Sequence, residues 1–165
     1  EMGVVKTYTL SKDGNVVILG YWGMGDLVGQ PLSKVSPYEM QCCTSVKAQR
    51  VPPGLWSSWG QCLSHHCQQS EELLFINRCE PMRERLHLFL IWLAHKFGQQ
   101  MEHGWQIGFR LTHQDLADAI GSSRVTVTRL MGKLRKKGLI TTYGDNLICL
   151  PMQSYDFDSD GSKSS

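Results

Sequence analysis

The chain has 165 residues, a formal net charge of +2 and 41% hydrophobic residues, enough to build small domains with buried cores. So slight a basic excess does not by itself mark a nucleic-acid partner, and no apolar run reaches the length of a membrane span. Nor does a basic-then-apolar leader open the sequence, so a cytoplasmic protein with reduced thiols on its six cysteines is expected.

Residues 1 to about 56 read as β structure. Val4 to Leu10 alternates apolar with polar residues, Lys12-Asp13-Gly14-Asn15 is a turn, and Val16 to Leu19 is a second strand. Gly23, Gly25, Asp26 and Gly29 punctuate the next segment, and Val46 to Val51 alternates again before Pro52-Pro53. Residues 57–82 form a connector in which Leu73, Leu74, Ile76 and Met82 give an apolar helical stripe, while Pro81 interrupts or begins a helix. Within it, CLSHHCQQ gathers Cys62, His65, His66 and Cys67, residue types that ligate zinc, iron–sulfur clusters or haem. With only Cys79 downstream the spacing fits no standard site, so no metal or cofactor is expected and free cysteine with surface histidine is the ordinary reading. A metal- or redox-responsive cluster of Cys62, His65, His66 and Cys67 is kept as the alternative.

Residues 83–152 carry the densest signal. LTHQDLADAIGSSRVTVTRLMGKLRKKGLI, Leu111 to Ile140, meets the separate demands of two short helices crossing at a steep angle. Ala117 is small where the helices cross, Gly121 serves the turn, and Leu116, Ile120, Val127 and Leu130 form the buried faces. Thr112 with Asp115 caps the first helix, Ser122 or Ser123 caps the second, and Gly138 ends it. Leu139 to Leu150 then reads as two strands about Gly144-Asp145-Asn146, which makes the unit a winged helix-turn-helix. Between Phe109 and Ile140 seven basic residues face two acids, a local excess that suits double-stranded DNA. With Val127 and Leu130 turned inward, Arg124, Val125, Thr128 and Arg129 turn outward as candidate base readers. Ser123, Thr126, Thr112, Gln114, His113 and Lys133 are candidates for the DNA backbone. A winged interaction module without DNA is a further alternative, against which the arginine pair argues. No Walker loop, no G-x-S-x-G elbow and no motif-placed carboxylate pair is present, so no enzyme is expected.

The same stretch, with RERLHLFLIWLAHKFG (Arg83 to Gly98) upstream, resembles the C-terminal domain of the CRP/FNR family of bacterial transcription regulators, and its S-S-R-V-T-V-T-R-L core is most similar to the NtcA-type nitrogen regulators of cyanobacteria. The resemblance implies an α+β protein with a partial, cyclic-nucleotide-binding-like β-roll, a linking helix and a winged helix-turn-helix. It further implies a homodimer on a GTA…TAC-like palindrome and contact with RNA polymerase. Two departures stand out. Gly3-Val4-Val5 already matches the middle of the family's sensor, so a truncated or reduced sensor is expected, and the connector is shorter than the family's dimerisation helix by about four turns. Where the family pairs G-E with an arginine that grips a cyclic phosphate, this chain has Gly29-Gln30 and then Tyr38-Glu39-Met40-Gln41-Cys42-Cys43, which argues against a cyclic nucleotide. Residues 153–165, acidic and serine-rich, are expected to be a disordered tail.

Overall fold

The computed structural model describes residues 3–52, 58–143 and 147–152. The expected turn at Gly144-Asp145-Asn146 and the expected tail 153–165 fall outside these. The chain divides into two compact units, Glu1–Arg78 and Cys79–Ser165.

In the first unit, strands β1 (Val5–Leu10) and β2 (Val16–Trp22) pair antiparallel about the expected turn, where the Gly14 amide donates to the Ser11 carbonyl. A third strand, β3 (Glu39–Cys42), adds to the other side of β1, giving the order β2-β1-β3. The sequence does not announce it, because four polar or sulfur-bearing residues exposed on an edge carry no inside-outside alternation. Conversely, Val46 to Val51 is expected to be a strand and is not one: the segment is irregular and largely exposed. Alternation alone makes no strand where no neighbour supplies the ladder.

Helix α1 (Gly60–Arg78) lies in this unit and buries Leu73 and Ile76. Its His66 ring stacks on Trp22 with centroids 4.2 Å apart, and His66 Nδ1 lies 3.1 Å from the Leu27 carbonyl. Gln69 donates to Asp26, whose other oxygen accepts from the Gly23 amide, so the helix is tied to the turn that follows β2. The expected stripe therefore splits. Leu73 and Ile76 are buried, Leu74 and the neighbouring Phe75 are about 60% exposed, and Met82 belongs to the next helix.

The second unit is built around α2 (Met82–Phe97), which Pro81 begins and does not interrupt. Proline suits a helix start because it withdraws an amide that would lack a partner there. Leu86, Phe89, Leu90, Leu93 and Phe97 are all buried, and apolar residues surround most of the helix, as befits one enclosed by its neighbours. Around it lie α3 (His113–Ile120), α4 (Arg124–Lys136) and an antiparallel sheet of β4 (Gly98–Met101), β5 (Gly104–Ile107), β7 (Leu147–Pro151) and β6 (Thr141–Tyr143), in that order. The wing strands β6 (Thr141–Tyr143) and β7 (Leu147–Pro151) match the expected pair. The hairpin of β4 (Gly98–Met101) and β5 (Gly104–Ile107) has no counterpart in the expected elements; β5 pairs with β7 and so joins the wing to a larger sheet. Gly104 allows this, since a Cβ there would lie 2.0 Å from the Leu150 carbonyl oxygen. No helix of the described residues is long and apolar enough to cross a membrane.

Candidate nucleic-acid interface

Helix α3 opens with a reciprocal cap. Thr112 Oγ1 accepts from the Asp115 amide at 3.0 Å, and Asp115 Oδ2 accepts from the Thr112 amide at 2.9 Å. It closes at Gly121, whose φ of +65° only glycine adopts without cost, and the Ser122 amide returns to the Ala117 carbonyl. Ser123, of the two candidate serines, caps α4 by accepting from the Thr126 amide. At the far end Gly138 and Leu139 donate back to Arg135 and Leu134, which closes α4 in a Schellman arrangement.

The two helices pack as their sequence spacing requires. Leu116, Ala117 and Ile120 of α3 and Val127, Leu130, Met131 and Leu134 of α4 are buried. Arg124, Val125, Thr128 and Arg129 lie on α4 outside that buried face, with Val125 80% exposed, and Lys133 follows on the same helix. Of the four, Thr128 is the least free. Its hydroxyl donates to the Arg124 carbonyl at 2.9 Å and lies 2.8 Å from His113 Nδ1, so only its methyl is unengaged. Among the backbone candidates, Thr112 and Ser123 are engaged as caps, Thr126 accepts from Ser123 Oγ, and Gln114 donates to Asp118.

Two features of the site escape the sequence. Arg85 of α2 has 12% of its side chain exposed and donates to the Cys79 carbonyl, the Ile120 carbonyl and the Glu80 carboxylate. It thereby holds the C-terminal end of α3 against the start of α2. The second is a cavity of about 480 Å³ lined by Arg110, Arg124 and Arg135 with Thr112, His113 and Thr142 among its other walls. Burial, then the charges of Arg135 and Arg124, hold the His113 imidazole below its ordinary pKa.

The cysteine cluster comes apart. Cys62, His65, His66 and Cys67 lie on α1, where His66 is turned to Trp22 and Leu27, while Cys79 belongs to the other unit. Among the described residues no group of three His, Cys, Asp or Glu side chains is placed to hold a metal. Cys149 is buried in β7, and burial pushes its thiol up.

Residues 84–153 match the Crp-like helix-turn-helix domain family. Along most of its length the chain is similar to the regulatory protein CysR of Synechococcus elongatus: 40% identity over 144 residues, covering 85% of this chain and 69% of CysR. The chain belongs to the CRP/FNR family. It is a DNA-binding transcription regulator. The global nitrogen regulator of Nostoc is 42% identical over 81 residues, 49% of this chain and 36% of that protein. A CRP-family transcriptional regulator from Thermus thermophilus shares the fold, with a TM-score of 0.74 at 20% identity over 93% of this chain and 87% of that one. The CRP/FNR fold thus accounts for both units, the sheet of the first and the winged helix-turn-helix of the second.

Proposed function

We propose that α4 enters the major groove and reads a palindromic GTA…TAC-like operator with Arg124, Val125 and Arg129. The observation that carries this reading is their common exposure on a helix whose opposite face is packed into the core. An arginine fits guanine O6 and N7 with two donors, and an exposed valine fits a thymine methyl. Thr128 contributes a methyl contact only, given where its hydroxyl goes. Ser123, Thr126, Thr112, His113, Gln114 and Lys133 lie against the DNA backbone, where the amides at the starts of α3 and α4 add donors for phosphate.

The regulator acts as a homodimer, one subunit per half-site, because a palindrome mirrors a two-fold axis. Leu74 and Phe75, exposed side by side on α1, supply apolar surface for that contact. Contact with RNA polymerase and a cytoplasmic location rest on the family alone. A cyclic nucleotide is not the effector in this reading, since Gly29 to Cys43 offers no arginine for its phosphate.

Gel-shift titrations on matched and single-base-altered sites test the base readers. Arg124→Ala and Arg129→Ala should each cost about 1–3 kcal/mol on the intact site and relax preference at one base per half-site. Equal loss on random DNA would assign these arginines to phosphate instead.

A further inference from the structure

The cavity bounded by Arg110, Arg124 and Arg135 contains a histidine whose hydrogen bonding constrains what it can accept. A threonine hydroxyl has a single proton. Thr128 gives its proton to the Arg124 carbonyl, so toward His113 it can only accept, and Nδ1 must carry a hydrogen. The neutral ring is then left with a lone pair on Nε2, which an anion in the cavity would repel. Only the imidazolium, with N–H on both nitrogens, can serve an anion there.

The surroundings favour such an anion. Arg110 comes from the segment before α3, Arg124 and Arg135 from α4, and Thr142 and Ile148 from the wing strands are uncharged. The nearby acids of α3 are engaged: Asp115 with Thr112 and Asp118 with Gln114. The cavity opens beside the first turn of α3, at the positive end of that helix.

We propose that this cavity seats one DNA backbone phosphate between Arg110 and Arg135, and that His113 takes up a proton at Nε2 when the seat fills. The proposal rests on DNA lying against α4 but not on which bases are read. In the free protein burial, and after it the charges of Arg135 and Arg124, hold the pKa of the ring below its ordinary value. A phosphate offsets those charges and raises the affinity of the ring for a proton. DNA affinity is therefore greatest below the free-state pKa of His113 and declines as pH rises through the DNA-bound value.

The test uses the full chain and a random-sequence duplex, on which loss of base reading is silent, with anisotropy titrations from about pH 5.5 to 8 at fixed ionic strength, a window that spans the histidine range. The wild type should bind several-fold more tightly at the acid end than at the alkaline end. His113→Gln, which can still donate to Thr128, should lose most of that dependence, and His113→Arg should keep the tight acid-side affinity at every pH. A wild-type pH profile in His113→Gln would overturn the proton linkage. In salt titrations Arg110→Ala and Arg135→Ala should each flatten the slope of log affinity on log salt by about 0.9, and the double variant by no more than one of them. Unchanged slopes, or additive losses, would overturn the single shared phosphate. Loss of palindrome preference with these results intact would overturn only the base-reading assignment.

Discussion

Replacing Arg85 by methionine keeps the aliphatic stem and removes the guanidinium that ties α3 to α2. Two of its three partners are backbone carbonyls, at 3.1 Å each, and the third is Glu80, three-quarters exposed. A charged donor to a carbonyl contributes about 1.5–3 kcal/mol, whereas an exposed ion pair contributes about 0–1. Water can reach a partly buried carbonyl once the side chain is gone, so the two bonds will not sum in full, and about 2–4 kcal/mol is expected. In a unit of 60–100 residues each kcal/mol moves the midpoint by about 4–8 °C. A circular-dichroism melt of Arg85→Met should therefore fall by roughly 10–25 °C, with Arg85→Lys between, since an ammonium cannot fork between two carbonyls. A methionine variant melting within about 2 °C of the wild type would refute the clamp, because such a shift corresponds to under about 0.5 kcal/mol.

Gly121→Ala places a Cβ at a φ of +65° and should cost about 1–2 kcal/mol, read by urea denaturation; a neutral result would mean the turn between α3 and α4 relaxes freely. His87 carries a buried Nε2 that meets no hydrogen-bond partner among the described residues, and burial depresses its pKa below 6.5. A depressed histidine pKa means the unfolded chain binds more protons, so this contribution is present above pH 6.5 and is lost as pH falls toward the folded-state value. His87→Leu should flatten the decline in stability between about pH 7 and 5 relative to the wild type, and an unchanged decline would count against it; His113, also depressed, contributes with the same sign in both proteins. Leu74→Glu with Phe75→Glu should shift the protein from dimer to monomer in sedimentation at micromolar concentration, and an unaltered dimer would move the interface away from this face of α1.

The helix-turn-helix was readable because its constraints are local and mutually reinforcing. Thr112 and Asp115 sit one helical turn apart, Gly121 supplies a backbone angle, and Ala117 and Val127, both buried, are ten residues apart in sequence. Nothing comparable marks β3, whose exposed Glu39, Met40, Gln41 and Cys42 are held by backbone ladder bonds to β1, or the β4–β5 hairpin, held through β7 over forty residues away. Arg85 reads in sequence as one more solvated arginine. Its acceptor Ile120 is a backbone carbonyl 35 positions on, which no side-chain pattern advertises. Val46 to Val51 misleads for the opposite reason: it alternates as a strand should but is irregular, largely exposed, and pairs with no strand among the described residues. The arginine cavity is half visible, since Arg110 and Arg135 count toward the local charge, but only the fold brings them around His113.

Whether α4 reads a palindrome through Arg124 is decided by selecting bound duplexes from a random pool, in parallel for the wild type and Arg124→Ala. The wild type should yield a two-fold palindrome with GTA-like half-sites, and the variant should lose preference at one symmetric pair of bases. An enriched motif without two-fold symmetry, or the same motif from both proteins, would contradict that reading.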